Sequence, residues 1–176
     1  MKNFYHFLIL LSFTFGNAQV KLNQHQEKRL NLQIRNIEHL FMTQDYISLA
    51  NNISPKVTKL LYNSKDSVAV VFKFLFDEAK RKGVTNTQIT LGTHSKVYKT
   101  KDELQCSIPM TTILKKDSIK SVSEAFIIMV SNHIGEKWYF SITDGYYKSI
   151  LNIHPKLIVP NRKLLVYEND KLIDRE

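Results

Sequence analysis

The chain has 176 residues, with 25 Lys and Arg against 16 Asp and Glu, a formal charge of +9, one cysteine and five glycines. This length is enough for one domain with its own core. A single cysteine excludes an internal disulfide, five glycines leave no phosphate-cradling loop, and the lysines are too dispersed for the basic, aromatic-interleaved patch of a nucleic-acid binder.

The N-terminus reads Lys2 followed by the apolar run FYHFLILLSFTF from Phe4 to Phe15 and then Gly16-Asn17-Ala18. A positive start, a short apolar stretch and a small-x-small site are the parts of a secretory signal peptide. The run is shorter than the roughly 20 residues that span a bilayer. Cleavage is expected after Ala18, with residues 1–18 as the signal peptide and Gln19 as the mature N-terminus; the alternative is an uncut N-terminal anchor. No cysteine lies near the cut for lipid attachment, and no later run approaches membrane-spanning length. The expectation is a soluble exported protein, periplasmic or secreted, without stable membrane insertion once the leader is removed.

Leu30, Ile34, Ile37 and Phe41 recur at helical spacing among Arg29, Gln33, Asn36 and Glu38, which predicts an amphipathic first helix. A short second helix is predicted over Asp45 to Ala50, and Ser54-Pro55 reads as an N-cap followed by proline in the first turn. A third helix is predicted from Ser64, with Asp66 in its first turn and Lys80-Arg81-Lys82 and Gly83 at its end. Acid first, base last and glycine beyond suit the helix dipole and a left-handed cap. Its apolar face is read as Val68, Val71, Phe72, Leu75 and Ala79.

From Thr85 the period becomes two. Strands are predicted at Ile89 to Leu91, at Leu104 to Leu114, at Ser123 to Ser131 and at Trp138 to Ile142. Pro109 inside the second calls for a bulge or an edge position. Lys116-Asp117-Ser118 reads as a turn, Asn132 to Glu136 as a hairpin loop, and Tyr146 to Asn152 as a short helix. Helices first and strands second predict an α+β domain over residues 19–160, with 161–176 as a C-terminal tail carrying the apolar patch Leu164-Leu165-Val166-Tyr167.

Several segments carry a resemblance. Asp45-Tyr46, DELQC at Asp102 to Cys106 followed by Ile108-Pro109, and EKWYFSITDG at Glu136 to Gly145 resemble a family of uncharacterised exported bacterial proteins with an NTF2-like, cystatin-like fold, over roughly Lys21 to Pro160. The resemblance implies a curved antiparallel sheet of about four strands packed on about three N-terminal helices, and a cone-shaped pocket between them. It implies no catalytic residues, because the family has no assigned activity.

By strand alternation Glu124 shares a face with Phe126 and Ile128. That face, with Trp138 and Phe140 of the last strand, is expected to close a pocket against the third helix, with Tyr46 and Tyr98 as candidate neutral donors and Tyr46 and Trp138 otherwise as core or rim aromatics. A carboxylate among apolar neighbours suits a general base, so Glu124 or Asp144 would serve an isomerase- or hydrolase-type enzyme; the favoured alternative is that Glu124, near a strand end, simply reaches water. The favoured expectation is a non-catalytic domain binding a small apolar ligand or a protein partner; a third arrangement is a structural homodimer through the sheet. Cys106, on the face of Leu104 and Ile108, reads as a buried structural thiol. His25, His39, His94, His133 and His154 show no metal-ligand spacing, so neither metal nor cofactor is expected.

Overall fold

A computed structural model describes residues 19–132, 134–142, 153–157 and 159–175. The proposed leader 1–18, His133, Asp144 and the helix expected over 146–152 lie outside the described residues.

Four helices follow a two-residue strand at Gln19–Val20. α1 (Gln24–Thr43) starts in a capping box: the Asn23 side chain accepts from the Gln26 N–H and the Gln26 side chain accepts from the Asn23 N–H, each at 2.9 Å. It buries Leu30, Ile34, Ile37, Leu40 and Phe41, the stripe expected from the sequence with Leu40 added. α2 (Tyr46–Asn52) is capped by Asp45, whose carboxylate accepts from the Ser48 N–H at 3.0 Å. α3 (Pro55–Val57) has proline in its first turn and runs into a π turn over Thr58–Tyr62. α4 (Lys65–Arg81) is capped by Ser64, which accepts from the Ser67 N–H at 3.1 Å. At its other end Gly83 takes φ +86°, and the N–H groups of Gly83 and Val84 reach the carbonyls of Lys80 (2.9 Å) and Ala79 (3.0 Å). The basic cluster is therefore the end of a helix.

The sheet is larger than expected. It has eight strands: β1 (Gln19–Val20), β2 (Asn86–Leu91), β3 (Val97–Lys99), β4 (Glu103–Lys116), β5 (Ile119–Asn132), β6 (Trp138–Ile142), β7 (Lys163–Glu168) and β8 (Lys171–Arg175). β4 and β5 are 14 residues each and pair over their whole length across the turn at Asp117-Ser118. β2 pairs with the later half of β4 and β3 with its beginning, with β1 outside β3. On the other side β7 takes the first half of β5, β6 the second, and β8 lies outside β7. All these pairings are antiparallel.

The fold is α+β, but the NTF2-like arrangement of about four strands on about three helices is overturned by this eight-stranded sheet with four helices. Two physical reasons account for the difference. β1 and β3 have two and three residues, too few for alternation to register. The tail forms the β7–β8 hairpin, whose β7 sequence is a continuous apolar run rather than an alternating one.

Pro109 occupies a place where its missing N–H costs nothing. It pairs with Phe126 without a break in the β4–β5 register, and its carbonyl accepts from the Gly92 N–H at 2.9 Å. In a strand the N and C=O of one residue point to the same side, so the proline nitrogen faces the gap between the ladders of β2 and β3. That is an edge position without a bulge.

Both outer edges of the sheet's centre are covered. Along β2, the Leu91 N–H donates to Glu38 Oε2 at 2.6 Å and the Ile89 N–H to Met42 Sδ at 3.2 Å, so α1 satisfies the open edge. Along β6, the Ser54 N–H donates to the Phe140 carbonyl at 2.8 Å, and Ile53 bridges Phe140.

Cross-strand partners share a face. Cys106, Met129 and Phe140 form one row, and Leu104, Ser131 and Trp138 the next. With Ile108 and Ile127 these rows face the helices and join Leu30, Ile37, Phe41, Leu49, Val68 and Phe72 in the main core. Phe41 meets Phe140 and Phe72 edge-on, with centroids 5.7 and 6.0 Å apart. The opposite face carries Ile128 and Val130, which pack with Leu157 and the half-buried Tyr98, Tyr139, Ile153 and Val159 in a second, smaller core.

Candidate functional site

The seven aromatic, apolar and acidic residues singled out in the sequence do not meet in one pocket. Glu124, Phe126 and Ile128 do share a face, but it is the face turned away from the helices, whereas Trp138 and Phe140 are buried against them. The expected joint wall against the third helix therefore does not form. The centre of β5 reads Ile127-Ile128-Met129-Val130, all buried; with apolar side chains on both faces, the pattern could not choose the phase. α4 shows the same kind of error: Val68 and Phe72 are buried as expected, but Ala69 and Phe76 complete the inner stripe and Val71 and Leu75 are exposed.

Tyr46 opens α2, half-buried, with its ring 5.7 Å from Phe76 and its hydroxyl donating to Gln44 Oε1 at 3.0 Å. Burial, then the nearby Asp77 carboxylate, raise its phenol above the usual range. Tyr98 lies on the other side of the sheet, stacked on His154 with centroids 4.7 Å apart. These two tyrosines and Glu124 are thus held on separate elements: α2, β3 and β5.

Cys106 is fully buried in the main core. Burial first, then the charge of Glu27, push its thiol far above the ordinary range, so the thiolate that a nucleophile needs is suppressed.

Two depressions bring residues of interest to the surface. The first, about 250 Å³, lies on the face away from the helices. Pro109, Phe126 and Pro160 give it apolar walls, and Glu124, Asn161 and Lys163 give it polar groups. Cross-strand pairing sets the order: Phe126 beside Pro109, and Glu124 between Thr111 and Lys163. Glu124 is exposed and Phe126 half-buried. The second, about 420 Å³, is a groove between α1 and the start of β6, bordered by Arg29, Leu32, Gln33, Asn36 and Trp138. The Trp138 indole nitrogen is buried without a hydrogen-bond partner, and the Arg29 guanidinium donates to the Glu136 carbonyl at 3.3 Å.

The sequence reading missed two polar features. Gln105 is completely buried: its Oε1 accepts from the His154 N–H at 3.0 Å and its Nε2 donates to Glu103 Oε2 at 3.3 Å. Glu27 and His94 meet with Oε1 and Nε2 2.6 Å apart, tying α1 to the loop between β2 and β3. The Gln105–His154 and Glu27–His94 contacts join residues far apart in the chain, which no local pattern announces. Among the described residues no group of three or more His, Cys, Asp or Glu side chains is placed to hold a metal ion. No described helix is long and apolar enough to cross a membrane. Comparison with protein-family models, curated proteins and solved structures returns no match to this chain.

Proposed function

We propose that this chain is an exported, non-catalytic binding domain that takes a small apolar ligand in the depression beside Phe126. The single observation that carries the reading is the composition of that depression: proline and phenylalanine walls with one acid and one base near them. Apolar walls with a few polar groups are the usual make-up of small-molecule sites. Its 250 Å³ lies just below the roughly 300–1,000 Å³ of pockets for drug-sized molecules, which suits a smaller ligand.

The exposure of Glu124 argues against the isomerase- or hydrolase-type alternative. A general base of that kind works from an apolar enclosure, and Glu124 instead stands beside Thr111 and Lys163 on an open face. A sealed Cys106 likewise argues against thiol chemistry. Export rests on the leader sequence, and a mature chain starting at Gln19 keeps β1 whole.

Native mass spectrometry of the protein purified from its own host tests the reading. The expected result is a monomer starting at Gln19 that carries a small apolar adduct, lost in Phe126→Asp. A protein keeping Met1 would overturn export. An adduct unaffected by Phe126→Asp would overturn the site, and an obligate dimer without adduct would favour the structural alternative.

A further inference from the structure

The groove between α1 and β6 holds the one tryptophan of the chain, and its indole lacks a polar partner. Trp138 is 2% exposed, and its Nε1–H is buried without an acceptor. Nearly every buried donor in a folded protein is bonded, because an orphaned one has given up water for nothing. An acceptor supplied from outside recovers that loss.

The rest of the groove selects the kind of acceptor. Arg29, Leu32, Gln33 and Asn36 stand at i, i+3, i+4 and i+7 on α1 and form one wall, two turns long. Arg29 donates to the Glu136 carbonyl at 3.3 Å and lies in no ion pair among the described residues. Its planar fork of donors matches a carboxylate. Glu136 is the one acid on the border, and Arg29 meets its main chain rather than its side chain. Lys137 turns its ammonium to the Tyr139 ring, 5.1 Å from the centroid, and the Gln33 amide is engaged with Asn52. Arg29 is thus the base the groove offers. Leu32, 49% exposed, adds apolar surface to the same wall.

We infer that this groove is a second binding site, separate from the depression beside Phe126, and that it takes a small organic carboxylate. The carboxylate accepts from Trp138 Nε1–H and from the Arg29 fork, and the apolar part of the ligand lies along Leu32. Nε1 is closed to solvent, so the ligand must shift a side chain as it enters. Arg29 is exposed and its bond to the carbonyl is long, so it can move at little cost. The groove's 420 Å³ has room for such a molecule.

Because the chain has one tryptophan, its indole N–H gives a single side-chain signal in a proton–nitrogen correlation spectrum. Titrating the labelled protein with hexanoate therefore reads the site directly. Hexanoate should move that signal downfield to saturation; hexanol, with the same chain and no charge, should not. Arg29→Gln should weaken hexanoate binding about tenfold, the worth of one charge-assisted hydrogen bond. Arg29 is exposed, so thermal unfolding of the variant should stay close to wild type. Phe126→Asp should leave the titration unchanged. An unmoved signal, an equal response to hexanol, undiminished affinity in Arg29→Gln, or loss of binding in Phe126→Asp overturns the assignment.

Discussion

The two faces of the central β4–β5 hairpin are built by different means. Toward the helices, Leu104, Cys106, Ile108, Ile127 and Met129 join a continuous apolar core with side chains from all four helices or their flanks. Away from the helices, the buried set is small and mixed: Ile128, Val130 and Leu157 form the apolar part, and Gln105, paired across the strands with Val130 and Tyr98, has its amide bonded at both ends, beside the Tyr98–His154 stack. The first face depends on apolar area removed from water. The second has less area, so its stability depends more on satisfied polar groups. The same strand therefore carries a tolerant side and an exacting one.

The largest test of that contrast truncates one phenylalanine on each side. Phe140 is fully buried against Phe41 and Phe72, so Phe140→Ala should cost about 3–5 kcal/mol in denaturant unfolding. Phe126 is half-buried on the other face, and Phe126→Ala should cost only about 1–2 kcal/mol, in proportion to the area it covers. Equal losses would show that the second face contributes as much apolar stabilisation as the first.

Gln105 tests the polar half. Gln105→Leu keeps most of the volume but leaves the His154 N–H and the Glu103 carboxylate without their amide partner. The expected loss is about 1–3 kcal/mol, the cost of an orphaned buried group, and hydrogen exchange should show faster opening of the segment around His154. An unchanged exchange rate there would mean that Leu157 and Tyr98 hold the segment without the amide.

How much of this was legible in the sequence follows from the same contrast. The inner stripe of α1, both caps of α4 and the length of β4 were readable, because each is a local periodic or terminal signal. The phase of β5 was not, since Ile127 to Val130 are apolar on both faces. Gln105 and Ser107 alternate with Leu104, Cys106 and Ile108 as a polar set, yet both are buried. Of the proposed site, Glu124 and Phe126 were read as neighbours on one face, but Asn161 and Lys163, which complete the depression, belong to the tail. Nothing in the tail's apolar run showed that it returns to pair with the start of β5.

Cys106 extends the contrast to pH. A thiol pushed upward by burial in the folded state ionises first in the unfolded chain. Its contribution to stability is thus fully present below the ordinary thiol value of about 8.5 and is lost as pH rises above it. Above that value wild type should lose about 1.4 kcal/mol per pH unit relative to Cys106→Ala, and a thiol reagent should label the native protein only through unfolding. Rapid native labelling, or parallel stability curves for the two proteins, would place the thiol outside the sealed core.

The smallest effect lies where neither core reaches. Every described residue of β8 is exposed, and β7 is at most half-buried, so local turn chemistry should decide whether this hairpin persists. Glu168 pairs with Lys171 across Asn169-Asp170, which take φ of 49° and 61°. A two-residue connection with both central residues in the left-handed region is the geometry in which Asn-Gly is preferred, because glycine has no Cβ to strain there. Asp170→Gly should therefore leave the fold unchanged and stabilise the hairpin by about 0.5–1 kcal/mol, the release of left-handed strain being partly offset by the greater freedom of glycine in the unfolded chain. The effect should appear as slower hydrogen exchange along β7 and β8, with the amides of Cys106 and Met129 unmoved. Slower exchange across the whole sheet would instead couple the hairpin to the main core and dissolve the distinction between the region held by packing and the region held by its turn.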